Sequence, residues 1–206
     1  MKDFRLYAIT GEQFHPGRSM IEVMEEAIKG GVDIIQLRDK SGDKAVITEK
    51  AKALRELTRK YGVTFIVNDY IDIAMEVDAD GIHLGQGDVP LLEARKMVGN
   101  KIIGISTHAI AEALLAEQQG ADYIGVGPIY PTATKVDVVD PVTIAYVREV
   151  VKEVSIPFVA IGGIKLHNVD DVIQAGATRI CAVSEIVGSD DVKGVCEAFI
   201  RKLERG

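Results

Sequence analysis

The sequence has no tryptophan, only two cysteines and no long hydrophobic run. Cys181 and Cys196 make no disulfide framework and no Cys-x-x-Cys is present, so we expect a reducing, cytoplasmic environment. The longest apolar runs are about five residues, far short of the roughly 20 that span a bilayer. The first residues also lack the apolar core and cleavage site of a signal peptide. We therefore expect neither membrane insertion nor secretion.

Positive charge is also scarce. The chain has 24 Lys and Arg against 31 Asp and Glu, which gives a formal net charge of -7. Nucleic-acid binding needs a basic surface, so we expect no such partner. A small anionic ligand remains compatible, because its site needs a few local cations. With 206 residues, 47% of them hydrophobic, the chain is predicted to form one globular domain over residues 1–206.

Short apolar runs alternate with segments of helical periodicity along the chain. Eight runs of the kind that suits parallel strands covered on both faces begin near residues 6, 34, 64, 81, 102, 123, 158 and 179. Helical spacing predicts helices over residues 19–29, 44–60, 70–77, 141–154 and 169–174, and another that opens at Pro90. Ser19 is the candidate N-cap of the first helix.

A weak internal repeat supports this alternation. Gly31-Val32-Asp33, Gly120-Ala121-Asp122 and Gly176-Ala177-Thr178 each close a helix and enter a strand, where glycine can adopt a positive φ. Asp78-Ala79-Asp80 does the same without the glycine. We therefore predict an α/β fold, a compact (β/α)8 TIM barrel. The alternative, an open doubly wound sheet, usually has Gly-x-Gly-x-x-Gly after its first strand, which this sequence lacks.

Active sites of such barrels lie at the carboxyl ends of the strands, where this sequence has polar residues of three kinds. Residues of the first kind suit the binding of an anion. Arg38 and Lys40 alternate with their neighbours, so they would point the same way if the strand continued. The alternative is that both pair with Asp39 or Asp43 at the surface. The candidate anion-binding residues are Gln36, Arg38, Lys40, Asn68, Ser106 and Lys135.

The second kind is a pair of carboxylates, Asp69 and Asp88, on neighbouring strand ends. Mg²⁺ takes one or two protein carboxylates together with substrate phosphate oxygens, so this pair suits that ion. The alternative is that each aspartate caps the helix that follows it, near Tyr70 and after Pro90.

The third kind suits a phosphate group. Gly162-Gly163 lets backbone N–H groups approach a ligand, and Val183-Ser184 could present N–H groups at a helix start. The segment Thr132-Ala133-Thr134 adds two hydroxyls. No His, Cys or Lys stands out as a nucleophile; His83 lies within a strand and is predicted to be buried, and His108 lies near the rim.

These segments resemble the thiamine-phosphate synthase family, in the family's order and over nearly the whole chain. The resemblance rests on residues 36–40, 67–69, 81–88, 105–108, 120–135, 160–164 and 182–184, of which 120–135 is the most specific block. It implies a transferase of thiamine biosynthesis that joins hydroxymethylpyrimidine diphosphate to hydroxyethylthiazole phosphate, or to its carboxylated tautomer. The products are thiamine phosphate and pyrophosphate, with CO₂ from the carboxylated form.

The resemblance also implies a role for each matching position. One Mg²⁺ ion would bind to Asp69 and Asp88. The thiazole phosphate would bind to Thr132, Ala133, Thr134, Gly163, Val183 and Ser184. The pyrimidine diphosphate would bind to Gln36, Leu37, Arg38, Asp39, Lys40, Asn68, Ser106 and Lys135, with Arg38, Lys40, Ser106 and Lys135 acting in catalysis.

Three other functions remain open at this point. A thiazole tautomerase of the same superfamily needs no site for diphosphate and Mg²⁺, so the combination of Asp69, Asp88, Arg38 and Lys40 disfavours it. A sugar-phosphate isomerase would need an acid and a base facing the ligand, and no convincing pair is visible. A noncatalytic binding protein would release no pyrophosphate. The expected partners are small phosphorylated molecules, and a homo-oligomer is possible.

Overall fold

A computed structural model describes residues 3–132, 134 and 140–205. Eight parallel strands pair in chain order, and the first strand pairs with both the second and the eighth. The sheet is therefore a closed barrel, which confirms the predicted fold and excludes the open sheet. The strands are β1 (Leu6–Ile9), β2 (Ile34–Leu37), β3 (Thr64–Asn68), β4 (Gly81–Leu84), β5 (Ile102–Thr107), β6 (Tyr123–Val126), β7 (Phe158–Ile161) and β8 (Ile180–Ala182).

Helices follow the strands and surround the barrel. The predicted helices agree with the observed ones within about two residues, the usual uncertainty of helix ends. Ser19 occupies the N-cap position, but its side chain makes no capping hydrogen bond. The α-helices are α1 (Met20–Lys29), α2 (Lys44–Tyr61), α3 (Ile71–Glu76), α4 (Leu91–Val98), α5 (Ile110–Gln118), α6 (Thr143–Glu153), α7 (Val169–Gln174), α8 (Ser184–Val187) and α9 (Val192–Leu203), with a 3-10 turn at Glu12–Phe14.

The core has two layers because side chains alternate between the two faces of each strand. The larger layer lies between the strands and the helices. The smaller one fills the barrel, where Tyr7 on β1 and Tyr123 on β6 are fully buried. Phe4 packs edge-on against both tyrosine rings, with ring centroids 6.3 and 6.1 Å away. The inside of the barrel is therefore partly aromatic and carries hydroxyl groups. No helix in the described part of the chain is long and apolar enough to cross a membrane.

The short repeat at the helix ends links the end of a helix to the strand that precedes that helix in the chain. Gly31, Gly120 and Gly176 have φ values of 102°, 86° and 107°, as the helix ends require. Three of the four copies of the repeat end in an aspartate that binds backbone of an earlier strand. Asp80 accepts from the Phe65 amide at 2.8 Å. Asp33 and Asp122 bind backbone at the starts of β1 and β5 in the same way, through the amides of Arg5, Leu6 and Ile103.

We expect Asp80→Ala to destabilise the fold. The carboxylate of Asp80 also accepts from Arg55 at 2.9 and 3.2 Å, so its removal leaves a strand amide and a guanidinium without their acceptor. Such a loss costs about 1–3 kcal/mol in the free energy of unfolding. Urea unfolding measures it. Glu204→Ala, which breaks the exposed pair with Arg5, is the control and should cost at most about 1 kcal/mol. An equal loss of unfolding free energy in the two variants would contradict the role of Asp80 in holding the start of β3.

Candidate active site

A cavity opens at the carboxyl ends of the strands, the end at which barrel enzymes place their active sites. It is lined by side chains from strands all around the barrel, and by the loops that follow them. Nine residues to which the family resemblance assigns a binding role line it: Gln36, Arg38, Asn68, Ser106, Thr132, Thr134, Gly163, Val183 and Ser184.

Other predicted residues lie elsewhere. The side chain of Leu37 is buried in the layer beneath the helices, and Asp39 accepts from Ser41 and Lys50, so neither side chain reaches the cavity. Lys40, Asp69 and Asp88 do not line the cavity, although Asp69 directly follows the cavity residue Asn68. Ala133 and Lys135 lie outside the described residues, and their assigned roles stay predictions.

Arg38 is a cation that lines the cavity on the side of β2. Its backbone is tied to the end of β1, because its N–H donates to Thr10 Oγ1 at 2.9 Å and its carbonyl accepts from the same hydroxyl at 3.2 Å. Burial lowers the pKa of its guanidinium, and the charge of Asp69 opposes that shift. Within the described residues no carboxylate lies within 4.0 Å of this guanidinium, so it is available to an anionic ligand.

The alternative that Arg38 and Lys40 pair with Asp39 or Asp43 is wrong. Asp39 pairs with Lys50, and Asp43 caps α2 by accepting from the amides of Ala45 and Val46. The ammonium of Lys40 instead pairs with Asp69. The cation proposed for diphosphate therefore neutralises one of the carboxylates proposed for metal.

The capping alternative for the two aspartates is also wrong. Tyr70 and Pro90 occupy the N-cap positions of α3 and α4, and neither helix has a side-chain cap. Asp88 closes its own loop, because its Oδ2 accepts from the Gly85 amide at 2.6 Å. Asp69 has a φ of 63°, in the left-handed region where non-glycine residues are uncommon and cluster at functional sites.

The electrostatics of the pair suit a cation. Burial raises the pKa of Asp69, the neighbouring carboxylate of Asp88 raises it further, and Lys40 lowers it. Two adjacent carboxylates, one of them paired with an exposed lysine, are a hard-oxygen donor set that fits Mg²⁺. In the residues that the structure describes, no group of three or more His, Cys, Asp or Glu could hold a metal, so further ligands would come from substrate or water.

The far side of the cavity is built from glycine and hydroxyl groups. Gly162 and Gly163 have φ values of 98° and 65°, and a Cβ on Gly162 would lie 2.4 Å from the Cα of Pro128. The two glycines therefore let the loop after β7 pack directly on the loop after β6. Thr132 and Thr134 join their hydroxyls at 2.9 Å. Ser184 begins α8, whose first-turn N–H groups have no acceptor within the helix.

Part of the cavity is built from residues to which the sequence assigns no binding role. His83 is buried, as predicted, but it also lines the cavity, as does Tyr7. A tyrosine in an otherwise apolar strand is the signal that could have found Tyr7. Lys165, three residues after Gly162, lines the cavity as well. His108 lies on the lining too, with its Nδ1 2.6 Å from the carbonyl of Gly127.

Comparisons with known proteins agree with this geometry. The family model described as thiamine monophosphate synthase matches residues 6–186. The thiamine-phosphate synthase of Halalkalibacterium halodurans is 67% identical over 206 residues, covering 100% of this chain and 98% of that protein. That of Shouchella clausii is 63% identical over 205 residues, covering 99% and 98%.

Solved structures give the same result. The thiamine phosphate pyrophosphorylase of Pyrococcus furiosus superposes with a TM-score of 0.89 at 38% identity, over 98% of this chain and 96% of that one. A 3-hexulose-6-phosphate synthase superposes with a TM-score of 0.70 at 17% identity, over 96% and 99%, which shows the shared barrel alone. With most of its length matched by the family model and such relatives along the whole of it, the chain belongs to the thiamine monophosphate synthase family.

Proposed function

We propose that the cavity joins hydroxymethylpyrimidine diphosphate to hydroxyethylthiazole phosphate, or to its carboxylated tautomer, and releases pyrophosphate. The observation that carries this proposal is the cation Arg38, half-buried in the cavity with no carboxylate partner among the described residues. An unpartnered buried cation is costly unless a ligand supplies the opposite charge. The relatives named above support the reaction, and the two anion-binding regions of the cavity support its two phosphorylated substrates.

The two substrates would occupy different parts of the cavity. The pyrimidine diphosphate would lie toward β2, β3 and β5, where Gln36, Arg38, Asn68 and Ser106 line the wall. The thiazole phosphate would lie across the barrel, against Thr132, Thr134 and Gly163 and the start of α8. Binding both partners in one cavity converts an encounter of two molecules into a reaction within one complex.

The reaction needs no protein nucleophile. The C–O bond between the pyrimidine methylene and the diphosphate breaks, and the ring stabilises the cationic carbon that remains. The thiazole nitrogen then forms the new C–N bond. Arg38 would bind the departing diphosphate, and the exposed ammonium of Lys40 can exchange its partner Asp69 for the same group. The chain therefore acts by orienting the partners and neutralising the leaving group.

Asp69 and Asp88 would hold one Mg²⁺ ion. When bound, the ion neutralises negative charge that develops on the leaving diphosphate. The fit rests on two adjacent carboxylates, one of them held in an uncommon backbone conformation beside the cavity residue Asn68. A cytoplasmic location, a homo-oligomeric state and the assignment of residues 1–206 to one domain stay predictions.

Pyrophosphate release tests the function directly. The chain is mixed with the pyrimidine diphosphate, with or without thiazole phosphate, in Mg²⁺ or in excess EDTA. We expect pyrophosphate and thiamine phosphate only with both substrates and the metal. Conversion of a nonaromatic thiazole tautomer without pyrophosphate release would instead identify a tautomerase and contradict the proposal.

We expect Asp69→Ala and Lys135→Ala each to slow turnover at least about tenfold, which corresponds to about 1.4 kcal/mol of barrier. Asp69 is a proposed ligand of Mg²⁺, and the family resemblance assigns Lys135 to the diphosphate, so each variant removes a charge that would act on the leaving group. Steady-state rates at saturating substrates and Mg²⁺ measure the effect. Lys96→Ala, in the last turn of α4, is a control that should leave the rate unchanged. Near-normal rates for the first two variants would contradict their roles.

In EDTA, Asp69→Asn should stabilise the folded protein near neutral pH. Burial and Asp88 raise the pKa of Asp69 above its unfolded value, so the folded state prefers the neutral acid. The stability that protonated Asp69 contributes is fully present below about pH 3.9 and is lost as the pH rises through the folded pKa. Asp69→Asn should therefore be more stable than the original chain at pH values above the folded pKa of Asp69. The difference should disappear below about pH 3.9.

Thermal unfolding at about pH 7.5 and about pH 3.5 measures this difference. Asp72→Asn is the matched control with the opposite sign, because Lys44 lowers the pKa of Asp72. That variant should be slightly less stable than the original chain at neutral pH. If Asp69→Asn lost stability at both pH values, the pair with Lys40 would outweigh burial, and this account of the site would be wrong.

A further inference from the structure

A continuous line of hydrogen bonds crosses the inside of the barrel, and four of its five side chains line the cavity. Gln36 Nε2 lies 2.6 Å from the Tyr7 hydroxyl, which lies 2.9 Å from the Tyr123 hydroxyl. The Tyr123 hydroxyl lies 2.9 Å from His83 Nδ1, and His83 Nε2 lies 2.9 Å from Ser106 Oγ. The five side chains come from five strands, β2, β1, β6, β4 and β5 in that order.

Counting protons along this line gives it one direction. An amide nitrogen can only donate, so Gln36 Nε2–H donates to the oxygen of Tyr7. The Tyr7 proton is then satisfied by donation to Tyr123, because a buried hydroxyl proton without an acceptor is costly. Tyr123 in turn donates to His83 Nδ1, so the proton of the neutral His83 ring sits on Nε2.

The direction fixes what both ends of the line offer to a ligand. Ser106 Oγ accepts from His83, so its own O–H points to another acceptor. At the opposite end, one of the two amide N–H groups of Gln36 donates within the line. This bond fixes the orientation of the amide, so the position that Oε1 occupies offers a ligand an acceptor. Both Ser106 and Gln36 line the cavity, whereas Tyr123 does not. Tyr123 can therefore influence a ligand only through its neighbours.

We propose that Tyr7, Tyr123 and His83 are positioning residues that hold Ser106 as a hydrogen-bond donor and Gln36 as an acceptor toward the pyrimidine ring. This inference rests on the proposed function, because it takes that ring as the ligand of this wall. A donor at Ser106 matches an unprotonated ring nitrogen, and an acceptor at Gln36 matches an exocyclic amino group. The line thus selects an aminopyrimidine over the corresponding oxopyrimidine, which presents a carbonyl in place of the amino group.

Packing around Tyr123 holds its ring in place, and burial keeps the hydroxyls of Tyr7 and Tyr123 protonated. A Cβ on Gly104 would lie 2.1 Å from the Tyr123 ring, so this glycine makes room for the phenol. The rings of Phe4 and His83 also pack on Tyr123, with centroids 6.1 and 5.5 Å away. Burial raises the pKa of both phenols, and each therefore keeps the proton that the line requires.

The first test observes the proton order without any substrate. Long-range ¹H–¹⁵N spectra distinguish the two nitrogens of a histidine ring, the chain has four histidines, and a His83→Asn sample assigns the signals. We expect a neutral His83 with the proton on Nε2.

Tyr123→Phe should move the Nδ1 resonance, because it removes the donor to that atom. Tyr146→Phe is the matched control. It removes another hydroxyl, which lies 2.8 Å from Thr107 Oγ1 and 3.0 Å from the carbonyl oxygen of Ala109, and it should leave the His83 signals unchanged. A proton on Nδ1, or identical spectra for the two variants, would overturn the proposal.

The second test measures selectivity. The ratio of kcat/KM for the aminopyrimidine diphosphate to that for its oxo analogue should fall at least about tenfold in Tyr123→Phe and less than about twofold in Tyr146→Phe. KM for the thiazole phosphate should not change in either variant, and circular dichroism should show both folded. An unchanged ratio, or an equal fall in both variants, would contradict the positioning role. If the original chain released no pyrophosphate, the proposed function would fail, whereas the histidine spectra would still decide the proton order.

Discussion

The closure of the sheet is the constraint on which the rest of the structure depends. β8 has three residues, yet its pairing with both β1 and β7 completes the ring of parallel strands. Because all eight strands run in the same direction, their carboxyl ends meet at one rim. Residues far apart in the chain therefore face one cavity, and the aspartates at the opposite end hold the strand starts in place.

The rim of the barrel carries positive side chains although the chain as a whole is negatively charged. The protein is acidic, with a formal net charge of -7, but Arg38 and Lys40 lie beside Asp69 in a small, partly buried region. Burial strengthens electrostatic interactions and makes an unpartnered charge costly, so both charge types are poised for ligands that neutralise them. Lys40 and Asp69 illustrate this balance: they pair with each other in the structure, and in the proposed reaction they would bind diphosphate and metal instead.

The fold could be predicted because its signals are local and repeated. Apolar runs of strand length, helical spacing and the Gly-x-Asp repeat each depend on a few neighbouring residues, and they predicted the barrel and most helix bounds. The positions of cavity residues followed from one rule, that strand ends meet. The rule worked for Gln36, Arg38 and Ser106, whose side chains line the cavity.

The rest could not be predicted because it depends on contacts across the barrel. Nothing near Asp69 in the sequence shows that its partner is Lys40 and not a helix N-terminus. Tyr7 and Tyr123 are separated by 116 positions, and their contact exists because β1 and β6 face each other inside the barrel. The family resemblance names the segment 36–40 and does not show where each side chain points. Leu37 faces the helices, and Asp39, two residues after the end of β2, pairs with Lys50.

The most direct test of this account is a crystal structure with Mn²⁺ and both products bound. Manganese accepts the same carboxylate and phosphate oxygens as Mg²⁺ and can be located by its anomalous scattering. The account predicts one manganese ion held by Asp69 and Asp88, with pyrophosphate bound to Arg38 and the ring of thiamine phosphate against Gln36 and Ser106. Manganese bound elsewhere, or pyrophosphate on the far side against Gly163 and Ser184, would contradict it.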